Sequence, residues 1–513
     1  ARLTWASITI LTPSINPSIS ESGPIFNDSY SRDMKKIFII ASVTFLLAAC
    51  KDILTESPKA IVVERFYQNA NDLETAVNSI FAPLRAYNCF GALYPWQTEI
   101  YSDFQLGRGS YAVLNEYEGL DNTNVTRIGQ MWNEFYLAIR NANLVIANAE
   151  NAVNATPAEI AKYVGEARFL RAFSYFCIIP YFGKLPIRTE ENISDTEVPL
   201  SSAEAVFSLI LDDLTFAEQN LPETASVPGR PTKWAAKAVL SHVHFYRNDY
   251  PTARAKAAEI INSNAFSLVE VKNVDDWQKL YGPTVVTTPE EIFYIKNSQE
   301  SGWSYVEFLH HPSDPYYNGR GLFASYMDTV ILSKRWNEWD PNDLRKQLYY
   351  SWEFGLGPHT MLNNKFMDTE HIGQGANDYP FYRYADVLLI YSESDARVAN
   401  SISTEALEKL NRVRRRAYGY SPLQPSPIDF TESDFPDLNT FLETVIMERA
   451  YESYYEGGKR WLDLLRLGRD YTRKVIREVH HKEIAERHFL WPLPSVEIDL
   501  NDAISETEQN PGY

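Results

Sequence analysis

The sequence predicts a mainly α-helical protein, a scaffold of paired helices interrupted once by a loop-rich stretch with minor β structure. Three observations carry this. Apolar residues recur with a period near 3.6 along most of the chain. Residues 232–262, TKWAAKAVLSHVHFYRNDYPTARAKAAEIIN, read as helix, short turn, helix. Between about 265 and 380 the period fades while Pro, Gly, Asn and aromatic residues rise.

The helices follow in order. In 71–86, Leu73, Val77, Ile80 and Leu84 share one face, and Asn71 or Asp72 serves as N-cap. Residues 131–150 form a longer amphipathic helix. The next runs from Glu159 and is expected to end at Pro180 and Gly183. Residues 202–222 form another, stopped by Pro222. In 232–262, Ala235, Ala238, Ala253 and Ala257 let two helices approach closely across Arg247-Asn248-Asp249, a hairpin of the tetratricopeptide (TPR) type. Within the 265–380 insertion, EEIFYIKN (290–297) reads as a strand. Helices return at 382–399, 404–417 and 438–468, and the tail from 489 is proline-punctuated and extended.

The start of the chain reads as a leader. Lys35 and Lys36 follow Met34 and precede an apolar run from Ile37 to Ala49 that ends at Cys50. The run is shorter than the about 20 residues a membrane-spanning helix needs. Leu47-Ala48-Ala49-Cys50 is similar to a bacterial lipobox, in which the cysteine is acylated and becomes the new N-terminus. Residues 1–33 are expected to be upstream sequence read as protein, 34–49 the lipoprotein signal, and 50–513 a single domain.

Bulk properties narrow the function. With 45% hydrophobic and 22% charged residues the chain is globular. A net charge of −19 repels phosphate backbones and disfavours nucleic acid as a partner. After Cys50 only Cys89 and Cys177 remain, enough for one disulfide, although Cys177 sits in an apolar aromatic stretch and reads as a buried thiol. No nucleophile elbow, Walker loop, H-E-x-x-H or C-x-x-C is present. His242 and His244 are two apart on a helix and point to different faces; His310-His311 and His480-His481 are adjacent, so no histidine metal site is expected. No cofactor is expected either. Glu448, Glu452 and Glu456 share a helical spacing that two glycosidase carboxylates would need, but Arg449, Lys459 and Arg460 beside them favour ion pairing.

Aromatic residues are abundant: 32 Tyr, 26 Phe and 11 Trp. They concentrate with Asp, Asn, Gln and Arg in turn-rich segments, 87–111, 303–317 and 336–352. Ring planes suit the C–H faces of a sugar and planar polar groups suit its hydroxyl rim. The alternative is that these rings staple loops to the scaffold. The expected ligand-binding residues are Tyr94, Trp96, Asp103, Trp303, Tyr305, Trp336 and Trp339.

Several segments together resemble the SusD/RagB-like nutrient-binding lipoproteins of bacterial outer membranes. They are MWNEFYLAIRNANLVI, GEARFLRAFSYFCIIPYFGKLPI, YPFYRYADVLLIYSESDARV, ALEKLNRVRRRAYG, ERAYESYYEGGKRWLDLLRLG and the close WPLPSVEIDLND…QNPGY. Ser392 and Ser394 stand where alanines are common in that family, and 265–380 matches least. The resemblance implies a SusD-like α-α superhelix, a surface-exposed lipid anchor at Cys50, capture of oligosaccharide without catalysis, and a TonB-dependent (SusC-like) outer-membrane transporter as partner. A peptide nutrient and, from another class, a glycoside hydrolase are the alternatives. Arg168, Arg171, Arg383, Asp386, Arg449, Glu452, Arg460 and Asp463 read as structural pairs at helix junctions.

Overall fold

Helix follows helix through the first half of the chain, each packed on the one before. The structure, a computed structural model, describes residues 66–299, 305–370 and 375–513. The leader, Cys50 and Trp303 lie outside the described residues. The long helices are α1 Ala70–Arg85, α2 Asn122–Asn148, α3 Pro157–Phe182, α4 Ala203–Asn220, α5 Lys233–Tyr246 and α6 Tyr250–Asn262. After the insertion come α7 Tyr384–Ala399, α8 Thr404–Ala417, α9 Leu438–Ser453, α10 Lys459–Leu467 and α11 Arg469–His480. Each of α1 to α6 packs on its successor, and α6 packs on α7, so the helical array runs past the insertion as though it were absent. The fold is mainly α with TPR-like hairpins, as the periodicity predicts.

Local chemistry explains the boundaries. The cap of helix α1 falls two or three residues earlier than expected: it is Asn69, not Asn71 or Asp72, and Asp72 closes a capping box on it. Helix α3 opens with a Thr156–Glu159 capping box and Pro157 in the first turn. It passes through Pro180 and ends only at Gly183, whose φ of 73° favours glycine. Proline removes one intrahelical bond, and the tail supplies others: Trp491 N–H donates to the Tyr181 carbonyl at 2.7 Å and Asn510 Nδ2 to the Phe182 carbonyl at 2.9 Å. The α5–α6 hairpin has the expected turn, and Ser241 Oγ reaches the Ala253 carbonyl at 2.9 Å between its buried alanines.

The helix expected over 438–468 is broken in two. Tyr455, Gly457 and Gly458 all have positive φ, and a Cβ on Gly458 would lie 2.6 Å from Thr98. Glu99 fastens this turn by accepting the N–H of Tyr455 at 3.2 Å and of Gly458 at 3.0 Å. Glu456 therefore leaves the helix that carries Glu448 and Glu452.

The strands are short. In chain order they are β1 Leu106–Gly107, β2 Lys184–Pro186, β3 Leu200–Ser202, β4 Glu291–Ile295, β5 Ser325–Asp328, β6 Tyr349–Ser351, β7 Thr360–Asn363 and β8 Tyr379–Arg383. Three insertion strands and β1 form one sheet in the order β1-β5-β7-β6, all pairs antiparallel. Thus the insertion is pinned to the segment just after α1. Cys89 and Cys177 are both buried free thiols.

Candidate functional site

The charges carried by the helical motifs lie inside. Arg383 Nη1 donates to Glu290 at 2.6 Å and to Glu452 at 2.8 Å, while its Nε and Nη2 hold both oxygens of Glu456 at 2.9 Å. Arg416 reaches Glu452 at 2.5 Å, Arg345 reaches Glu452 at 3.0 Å and Glu448 at 2.7 Å, and Lys365 reaches Glu456 at 2.6 Å. All of these side chains are buried. Burial alone would raise Glu452 and Glu456, but the surrounding guanidinium and ammonium groups override it and hold both well below the usual carboxylate range. Glu448, Glu452 and Glu456 are all buried in this network and closed to a sugar, so the carboxylate set whose spacing suggested hydrolysis is occupied in ion pairs. Arg171 likewise pairs with Asp213 at 2.7 Å, Arg449 with Asp463 at 3.0 Å, and Lys459 with Asp386 at 2.8 Å; Arg168 lies 3.8 Å from Asp213.

Most of the expected binding residues turn out to be core. Trp96, Tyr94, Tyr305 and Trp339 are each at most 2% exposed. Trp96 packs on Tyr305, Phe308 and Tyr455, and Tyr94 on Phe90 and Phe135. Trp339 stacks on Tyr451 at 4.5 Å and donates its indole N–H to Asp343 at 2.9 Å. Asp103 is clamped by Arg335 at 2.6 Å and Arg460 at 2.7 Å. Burial would raise it, but the two arginines keep it well below the ordinary value. For Trp339 the polar neighbour that made its segment look like a surface loop, Asp343, is its internal hydrogen-bond partner. Trp336 alone among the described members stays half-buried, with the Lys346 ammonium 4.5 Å above its ring.

One group of rings that reach the surface gathers beside the four-stranded sheet. Strand β6 alternates: Tyr349 turns inward to Trp339 and Tyr454, and Tyr350 turns outward. Register places Tyr350 opposite Leu362 of β7 and Tyr326 of β5 opposite Leu106 of β1. Around this row gather His311, Tyr316, Trp352 and Phe354, all half-buried like Tyr326 and Tyr350. Phe354 stacks on His311 at 5.5 Å and meets Phe323 edge-on at 4.5 Å; Tyr350 meets Tyr316 at 5.1 Å and Trp352 at 6.2 Å.

Polar contacts tie this cluster together. The Ser313 hydroxyl donates to His311 Nδ1 at 2.8 Å and accepts from Trp352 Nε1 at 3.1 Å, so one serine ties the two halves together. Tyr350 donates its hydroxyl to Asp314, which is itself 3.1 Å from His310 Nδ1. Arg108 lies 4.9 Å over the Phe323 ring. Burial and Arg108 lower the His311 pKa, with Asp314 opposing, so its ring is neutral near pH 7 and offers a face rather than a charge. Ring faces, hydroxyls and a guanidinium thus share one outer surface. Tyr316, Tyr350 and Trp352 lie within the aromatic segments the sequence singled out; Tyr326 and Phe354 do not, and the alternation of β6 is the signal that separates inner from outer rings.

Comparison with known proteins sets this geometry in context. Residues 284–513 match the model of the SusD family, and residues 59–245 match one described as starch-binding associating with outer membrane. The chain belongs to the SusD/RagB-like family. It is 26% identical over 527 residues to the SusD-like protein P2 of Formosa agariphila, covering 94% of this chain and 100% of that one. A SusD-like protein of Bacteroides ovatus is 28% identical over 289 residues, 52% of this chain and 48% of the other. Among solved structures, a SusD homolog from Bacteroides thetaiotaomicron superposes with a TM-score of 0.72 at 20% identity, over 88% of this chain and 98% of that one. Surface glycan-binding protein A from Bacteroides fluxus gives 0.69 at 20% identity, over 87% and 100%. These likenesses confirm the SusD-like helical fold. No described helix is long and apolar enough to cross a membrane.

Proposed function

We propose that this protein is a cell-surface lipoprotein that captures an oligosaccharide without cleaving it and passes it to a TonB-dependent (SusC-like) outer-membrane transporter. The observation that carries the reading is the half-buried ring cluster of Tyr316, Tyr326, Tyr350, Trp352 and Phe354, tied together by Ser313 and Asp314 beside the four-stranded sheet. Rings held in place lose little freedom when a sugar stacks on them, so most of the stacking energy reaches the complex. The names of the relatives, which refer to starch and surface glycan, support the ligand class. Cys50 is the proposed acylation site and would anchor the domain through several acyl chains, each adding about 0.8 kcal/mol per buried CH₂. Trp336 remains a proposed contributor at the inner edge of the sheet.

The test is a glycan array and calorimetry on purified residues 51–513, with chromatography of every bound glycan. Binding with the glycan intact supports capture. Cleavage, or binding to peptides and to no glycan, overturns the reading. Separately, Cys50→Ala should move the protein from the membrane fraction to the soluble one; retention in the membrane would sink the anchor.

A further inference from the structure

We propose that the ring cluster takes an acidic sugar, and that Arg108 is the residue that binds its carboxylate or sulfate oxygens. This rests on the oligosaccharide reading above and deepens it by naming the charge of the ligand.

Arg108 directly follows β1 and its side chain is exposed. Its N–H donates to the Ala324 carbonyl at 2.7 Å, which pins it beside Phe323. The guanidinium carbon lies 4.9 Å from the centre of the Phe323 ring. That ring meets Phe354 at 4.5 Å, His311 at 5.6 Å and Tyr326 at 6.0 Å. Phe323 is buried and the other three are half-buried. One inner ring therefore joins the charge to three rings that stay partly open to water.

The backbone is strained to hold that inner ring. Phe323 has a φ of 50°, a left-handed value that bulky side chains rarely adopt. Both neighbours are fastened: the Leu322 N–H donates to the Glu307 carbonyl at 2.6 Å, and the Ala324 N–H to the Phe308 carbonyl at 2.8 Å. Strain of this kind persists where the surroundings fix it, and it gathers at ligand sites.

Arg108 has no anion of its own. Its guanidinium forms no ion pair and no hydrogen bond with any described residue. The chain has 67 acidic residues against 48 lysines and arginines, so carboxylates are not scarce. The acids of this region have other partners. Asp314 accepts the Tyr316 N–H at 2.9 Å and the Tyr350 hydroxyl. Asp328 accepts the N–H groups of Val330 at 2.8 Å and Ile331 at 2.9 Å, and lies 3.4 Å from His359 Nε2. A guanidinium without a partner offers its fork of N–H groups to a carboxylate or sulfate, whose paired oxygens match it. Packing on Phe323 orients that fork before a ligand arrives. His311 supplies a second donor. Its Nδ1 accepts the Ser313 N–H at 3.1 Å, so the neutral ring carries its proton on Nε2, which has no partner among the described residues. Rings and hydroxyls suffice for a neutral glycan; an acid group is what the unpaired charge adds.

The test reads the glycan array on purified residues 51–513 as pairs that share a backbone and differ in charge. Oligogalacturonides and alginate oligosaccharides are set against their carboxyl-reduced forms, and carrageenan oligosaccharides against their desulfated forms. Calorimetry and chromatography follow each hit. The expected result is an acidic member that binds about tenfold tighter than its neutral partner, with the gain shrinking as sodium chloride rises. Which pair responds separates carboxylate from sulfate. Arg108→Gln should abolish the gain and leave both the neutral member's affinity and the unfolding midpoint unchanged. Arg108→Lys keeps the charge without the fork and should retain part of the gain. Hits confined to neutral members, equal binding within every pair, or an Arg108→Gln variant that weakens both members alike would overturn the acid site and leave capture standing. Cleavage of an acidic hit would overturn capture and leave the role of Arg108 standing. No hit of either kind would overturn both.

Discussion

The charge knot around Arg383 and the outer ring cluster are built from residue types usually assigned the opposite roles. Arginine and glutamate are expected outside; here they fill the junction of α8 and α9 with the end of β8 and the residue before β4. Tyrosine and tryptophan are expected inside; on β5, β6 and the loop after β6 they lie half-open to water. Burial inverts what each can do. A buried guanidinium that satisfies three carboxylates holds helices at fixed angles and cannot greet a ligand. A ring clamped at its edge keeps a free face. The helical frame therefore spends its polarity on position, and the insertion presents its apolar planes for contact.

The largest expected effect breaks the first half of that contrast. Arg383→Ala removes the one guanidinium that joins Glu290, Glu452 and Glu456 and should cost about 3–5 kcal/mol, measured by denaturant unfolding. A loss below about 1 kcal/mol would show the knot to be ornamental. Trp339→Ala should cost about 3–5 kcal/mol as well, because it opens a cavity under β6. If it instead spared stability and abolished glycan binding, Trp339 would belong with the outer rings.

A pH effect comes next. Burial raises Glu99 to about 7, against the N–H groups of Tyr455 and Gly458 that lower it. Its folded value thus exceeds the about 4.3 of an unfolded glutamate, so the folded state holds this proton more tightly. The contribution is complete below about pH 4 and is lost as pH rises through 7, up to about 4 kcal/mol. Wild-type stability should decline over that window, and Glu99→Gln should decline less; equal slopes would refute the assignment. The smallest effect on stability sharpens the second half of the contrast. Trp352→Ala should weaken glycan binding up to about tenfold through loss of one stacking face, while denaturant unfolding shifts by less than about 1 kcal/mol, as for other half-open positions.

How much of this was legible in the sequence differs between the same two regions. The helices were, because their signals are local: Thr404–Ala417 matches its expected bounds, and the α5–α6 hairpin turns where Arg247-Asn248-Asp249 says it should. Failures came where a distant residue decides. Nothing near Pro180 says that Trp491 and Asn510 will satisfy the end of α3, and nothing near Gly458 says that Glu99 waits for its N–H. The candidate site suffered most. The segments 303–317 and 336–352 do hold rings that reach the surface, but a turn-rich aromatic segment does not reveal which ring faces inward. Trp339 and Tyr305 went into the core, while Tyr316, Tyr350 and Trp352 stayed out. A strand of three residues is too short for its alternation to stand out from the surrounding loop.

The clasp between the early and late parts of the chain has a consequence in time. Glu99 and Asp103 find their partners Gly458 and Arg460 almost 360 residues later, at sequence separations of 359 and 357. Until that stretch arrives, Asp103 has no Arg460, Glu99 has no turn to fasten, and Arg383 lacks Glu452 and Glu456. Such distant closures come at a high cost in chain entropy and slow the search for them. A polypeptide fed in from its N-terminal end would thus remain soft and threadable for most of its passage, and would lock only when its closing segment came through.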